Sequence, residues 1–163
     1  MHKIAFTAVS TALVALAMAS CSSIDCPLNS RVMATCKFGD AGEMLTDTLT
    51  VSTTRYDGND SVLVNRAIGV DSITVPMSYT RDADVFYLDF AATGATSHVI
   101  DTLTVSKTNV PHFESVDCNP MTFHTITDVK CTAHRVESVT INNDYVTYEA
   151  SKAHLIIRLR NSQ

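Results

Sequence analysis

From residue 31 onward the chain alternates between apolar and hydroxyl-bearing positions. Asp47-Thr48-Leu49-Thr50-Val51-Ser52 puts Leu49 and Val51 on one face of an extended segment, and Thr48 and Thr50 on the other. The pattern returns as Asp101-Thr102-Leu103-Thr104-Val105-Ser106, with shorter echoes at Asp71-Ser72-Ile73-Thr74-Val75 and Glu137-Ser138-Val139-Thr140-Ile141. A strand of this kind buries its apolar face and wets the other, the habit of antiparallel sheets. Its β-branched content suits a pleated surface. Further strands are predicted over 31–38, 61–64, 85–90, 121–129 and 155–160, with breaker clusters at 39–42, 57–60, 93–95, 119–120 and 142–144 between them. The turn Asn142-Asn143-Asp144 is expected to open a hairpin toward the closing strand. The echoes start 24, 30 and 36 residues apart, too irregular a period for a solenoid. No stretch behind the leader sustains a helical period. The expectation is an all-β chain: one antiparallel two-sheet β-sandwich over residues 31–163, immunoglobulin-like in general shape, with roughly seven to nine strands.

The first 30 residues read differently. His2 and Lys3 make a weakly positive start, and Ile4 to Met18 is an apolar run broken only by Thr7, Ser10 and Thr11. Such a run falls short of the roughly 20 residues that span a bilayer, and reads as a signal peptide over residues 1–20. Small residues Ala19 and Ser20 lead into Cys21, so Met18-Ala19-Ser20-Cys21 resembles a lipobox, with Met18 where leucine is usual. Lipid attachment is therefore expected at Cys21, which makes the membrane a partner. Residues 21–30, polar and containing Pro27, read as a lipidated tether.

Composition and charge narrow the partners. The net charge is −5, and removing the leader takes away one lysine and no acid, leaving −6. A mildly acidic chain with no basic run has no electrostatic reason to bind nucleic acid. The five cysteines are an odd number. Acylation of Cys21 consumes one, and export puts the other four where disulfides persist. Three connectivities are open. Cys26 lies before the first strand and Cys118 in a loop, while Cys36 and Cys131 lie in or beside strands, so Cys26–Cys118 and Cys36–Cys131 are preferred.

Several chemistries can be weighed. Cys118, His124, Cys131 and His134 are zinc-type ligands, but their spacing fits no zinc module and alternation scatters them across two faces. The oxygen-rich loops at Asp57, Asn59 and Asp60, and at Asn142, Asn143 and Asp144, do not complete a calcium pattern and are what β-turns require. Neither a metal nor a cofactor is expected. The chain holds no Gly-x-Ser-x-Gly elbow, no phosphate-cradling glycine loop and no HExxH motif, so no catalytic residues are assigned. His112 and His124, near Pro111 and Pro120, are the imidazoles to watch, beside Phe113 and the carboxylates Glu114, Asp117 and Asp128. With no tryptophan, a sugar-stacking platform would rest on Tyr56, Tyr79, Tyr145 and Tyr148. An acid followed by Ser or Thr and an apolar residue, as at Asp47, Asp60, Asp71 and Asp101, resembles an O-glycosylation sequon of Bacteroidota, but is also how strands begin.

The segments Cys21-Ser22-Ser23-Ile24-Asp25-Cys26-Pro27-Leu28-Asn29, Asp71 to Met77, Asp101 to Val105, Pro111 to Pro120 with Phe123-His124-Thr125-Ile126, and Glu137 to Asn143 together resemble a family of small Bacteroidota lipoproteins known as a domain of unknown function, DUF6452. Cys36 and Cys131 look like additions to its pattern, which lends weight to their pairing. The resemblance implies an outer-membrane lipoprotein with a β domain, on the periplasmic side or the cell surface, and no assigned activity. The leading expectation is a membrane-anchored, non-enzymatic binding or structural module of the envelope that meets another envelope protein or a glycan. The rival is a hydrolase or ligand-carrying domain centred on the loop between Pro111 and His124.

Overall fold

The structure, a computed structural model, describes residues 26, 31–55, 57–92, 94, 96–148 and 152–160. The expected leader, Cys21 and Tyr56 lie outside the described residues. Ten strands follow in order: β1 (Met33–Phe38), β2 (Thr48–Thr54), β3 (Asp60–Ala67), β4 (Ser72–Pro76), β5 (Ala83–Ala91), β6 (His98–His112), β7 (Met121–Cys131), β8 (Val136–Ile141), β9 (Tyr145–Val146) and β10 (Leu155–Leu159). They form a four-stranded sheet, β4-β1-β10-β8, and a six-stranded sheet, β3-β2-β5-β6-β7-β9. This is the all-β two-sheet sandwich that the alternation predicts.

The inward positions meet as expected from period two. Ala34, Cys36 and Phe38 of β1, with Leu155 and Ile157 of β10, face Leu49, Val51, Phe86, Leu88, Leu103 and Val105 of the larger sheet in one buried cluster. Strand β5 alternates half-buried and buried along its whole length. Each large aliphatic or aromatic side chain so buried contributes about 1.5–3 kcal/mol.

Three features depart from the sequence reading. The sheets are not wholly antiparallel, because β10 runs parallel to β1, with Cys36 opposite Leu155 and Phe38 opposite Ile157. The first and last strands are joined by no turn, so nothing obliges them to run in opposite senses. The segment after Asn143-Asp144 does not turn straight into the closing strand. It crosses to the larger sheet as β9, pairing with His124 and Thr125, before returning as β10 beside β8. A two-residue strand is too short to show a period.

The third concerns the loop placed between Pro111 and His124, both ends of which lie in strands. Strand β6 extends to His112 and pairs with β7 from His112–Met121 inward. Pro111 is tolerated because β5 pairs with β6 only as far as Ser106, opposite Ala83. Beyond that point one side of β6 lacks a neighbouring strand, and a missing N–H breaks no ladder there. The true connection is the turn over residues 113–120.

Candidate functional site

Alternation along β7 changes phase. The ladder pairs Ser106 with Asp128 and Lys107 with Ile126, leaving Thr127 unpaired as a bulge. Val129 therefore packs on the core from one parity and Ile126 from the other. The shift turns His124 inward beside Asn109, its ladder partner. Phe123, the next residue along the strand, points the opposite way and is itself buried, under the rings of His112, Tyr145 and Tyr148.

On the inner face a line of polar groups runs beneath the surface. Lys107 Nζ lies 2.5 Å from Ser78 O, 2.5 Å from Arg81 O, 2.9 Å from Asn109 Oδ1 and 3.5 Å from Asp84 Oδ2. Three hydrogen bonds to three acceptors require an ammonium. Burial pulls the Lys107 pKa down against the pull of Asp84. Burial likewise raises the Asp84 carboxyl, against the Ser78 backbone N–H and the charge of Lys107. Asn109 Nδ2 donates to Arg81 O at 3.0 Å, which fixes its amide so that Oδ1 faces His124 Nδ1 at 2.8 Å. His124 Nδ1 must then donate, and Nε2 is the basic nitrogen. Burial, and after it the charge of Lys107, pushes the His124 pKa down to about 4. The ring is neutral at physiological pH.

His124 lines a cavity of about 600 Å³ at this end of the sandwich, walled by Val32, Pro76, Met77 and Met121, with Arg31, Ser78 and Thr122 supplying polar groups. The volume lies within the range of small-molecule sites, about 300–1,000 Å³. The arrangement offers an apolar wall, an acceptor nitrogen and a cation, and among the described residues no carboxylate is hydrogen-bonded to His124.

His112 sits elsewhere. Its ring stacks on Phe123 with centroids 4.1 Å apart, and its Nε2 lies 3.2 Å from Glu114 Oε1. Tyr148 donates to the same oxygen at 2.9 Å, and Tyr145 meets Phe123 edge-on. The Tyr148 hydrogen bond, then that of His112, lowers the Glu114 pKa. The two histidines expected to share a loop thus occupy opposite faces of one sheet. His112 has a carboxylate but does not line the cavity, while His124 has the cavity but no carboxylate. Phe113 is 66% exposed on the turn.

The sulfur chemistry also divides. Cys26 and Cys118 form a disulfide, but Cys36 and Cys131 are free thiols, which corrects the pairing expected for them. Cys36 belongs to the smaller sheet and Cys131 to the larger. A disulfide needs Cα atoms closer than about 7 Å, and the ladders hold Cys36 opposite Leu155 and Cys131 opposite Leu103, in separate sheets. Of the other residues weighed for zinc, Cys118 is spent in the disulfide and His134 Nδ1 lies 3.1 Å from Asp101. Asp47 and Asp101, weighed as starts of glycosylation sequons, are buried and hold the segment leading into β8. Asp47 takes Arg135 Nε at 2.6 Å.

Lys107, Asn109 and Asp84 escaped the sequence reading. The available signal was positional: Leu103, Val105, Lys107 and Asn109 alternate in register, so a lysine and an amide occupy inward places in a strand pattern. The profile of one protein family, described as "Family of unknown function (DUF6452)", matches residues 48–159. No curated protein and no solved structure matches the chain.

Proposed function

The chain belongs to the family of unknown function DUF6452, and on that premise we propose that it is a membrane-anchored, non-enzymatic binding module. Its ligand is a small, partly apolar molecule bearing a hydroxyl, received in the cavity beside His124. The cavity itself carries this reading: about 600 Å³, apolar on its walls, with one neutral imidazole at its polar end. A neutral Nε2 accepts a hydrogen bond from a hydroxyl and does not attract an anion. Arg31 at the lining suits a ligand with a separate acidic or phosphate group. The anchor is the lipid expected on Cys21, and the setting is the envelope of a Bacteroidota cell, at the outer membrane.

The buried cation Lys107 supports binding over catalysis. It is enclosed, and all three of its protons go to protein acceptors, so its role is to lock the loop between β4 and β5 over the cavity. The His112–Glu114 pair is the best material for the rival acid–base reading. It is open to solvent and away from the cavity where binding energy could position a substrate.

Native mass spectrometry of the mature protein, extracted from its own membranes in mild detergent, tests both halves. Acyl chains on Cys21 and a co-purifying small molecule are expected, the latter lost from a Thr122→Trp variant that fills the cavity. A spectrum showing only the chain and its acyl groups, alike in both proteins, would rule out the ligand-binding reading.

A further inference from the structure

Residues 113–120 connect β6 to β7 and carry two strongly exposed apolar side chains at that end of the sandwich. Val116 is 100% exposed and Phe113 is 66% exposed. Exposed apolar residues at the tip of a tight turn bury nothing within the domain. Two residues past Val116 stands Cys118, bonded to Cys26. Five residues of chain separate Cys26 from Cys21, and such a length cannot span more than about 18 Å even fully extended. If the acyl chains sit on Cys21, the disulfide holds this turn close to the bilayer.

We infer that the turn over residues 113–118 is a membrane-contacting element, with Phe113 and Val116 dipping into the interface of a zwitterionic lipid leaflet. The inference rests on the lipidation of Cys21. The occupant is a lipid surface because the length of the tether leaves the turn against it. The leaflet is zwitterionic because Glu114 and Asp117 flank the apolar pair, and an anionic surface would repel them. The interface tolerates Glu114 because Tyr148 and His112 already hold its carboxylate. The anchor supplies the affinity and the turn sets orientation, a division known for proteins that combine acyl chains with a second contact. The domain then stands with its cavity end toward the membrane.

The chain contains no tryptophan, so one introduced indole reports on its own surroundings. Full-length lipoprotein carrying Phe113→Trp is reconstituted into phosphatidylcholine vesicles with brominated acyl chains, beside Met44→Trp, which reports from an exposed site at the far end of β1. Quenching of the first, at least several-fold stronger than of the second and reduced by adding Val116→Asp, is the expected result. Equal weak quenching in protein that floats with the vesicles and carries acyl groups on Cys21 overturns the inference and leaves the anchor standing. Protein lacking acyl groups, neither floating nor quenched, overturns both. A blue shift without quenching means that a second copy or another protein covers the turn, and also overturns it.

Discussion

Asp101 Oδ2 accepts the backbone N–H of Val136 at 2.8 Å across 35 residues of sequence. The same carboxylate takes the N–H groups of His134 and Arg135 and the hydroxyl of Thr132. A single fully buried side chain therefore fastens the entry of β8, in the smaller sheet, to β6 in the larger. Burial raises its pKa, but the bonds from His134, Val136, Thr132 and Arg135 outweigh that and hold it below the usual value. Its contribution to stability is present above the ordinary carboxylate range and fades as pH falls through the lowered folded value. Asp101→Ala should cost about 3 kcal/mol or more, since several buried donors lose their partner at once. Urea unfolding should show a lower midpoint at unchanged slope. A midpoint close to wild type would mean that water replaces the carboxylate.

Lys107 and Asp84 should behave as a coupled pair. Removing one partner of a buried ion pair typically costs about 3–5 kcal/mol, because the other is left uncompensated. Lys107→Met and Asp84→Leu singly are each expected to destabilise by about that much, and the double variant by clearly less than their sum. Additive effects in the double-mutant cycle would show that the lysine acts only through Ser78 and Arg81.

Acid should weaken the fold through its buried imidazoles. An unfolded histidine takes a proton near its ordinary value of 6.5, whereas His124 in the folded chain resists until about 4. His154, buried with Nδ1 accepting from the Thr35 N–H, shifts in the same direction through burial. The unfolded state binds more protons across that window, so this stability is complete above the unfolded pKa and is lost as pH drops. The slope is about 1.4 kcal/mol per pH unit for each such group. Thermal unfolding of His124→Gln should depend less steeply on pH than wild type between those limits. Parallel curves would remove His124 from the account.

Two thiols should count as free. Burial pushes Cys36 up to about 12, and burial with the nearby Asp101 charge pushes Cys131 up to about 11. Iodoacetamide at pH 8 should leave Cys36 untouched and modify Cys131 slowly, and both should react at once in urea. A disulfide-linked peptide joining the two would contradict their being free thiols. Reducing Cys26–Cys118, which closes a separation of 92 residues, should lower stability by about 4 kcal/mol on chain-entropy grounds.

The sandwich was legible because Leu49, Val51, Leu103 and Val105 follow period two without interruption, and burial obeys that period directly. The site was less legible for a physical reason. A bulge at Thr127 reverses inward and outward for everything before it on β7, and an unpaired residue leaves no mark in a threonine-rich strand. His124 stood out for its place near Pro120, yet its true neighbours are Asn109 across the ladder and Lys107 beyond. The polarity of those inward places was visible, but its partners on β5 and in the loop at 78–81 required the fold.

Strand β10 lies between β1 and β8, and its pairing of Leu155 with Cys36 joins the two ends of the molecule. The smaller sheet consequently lacks its middle until Leu155–Leu159 are seated, and such distant closures are slow to form. Residues 33–141 cannot by themselves complete that sheet, so its core face stays wet until β10 slots between β1 and β8.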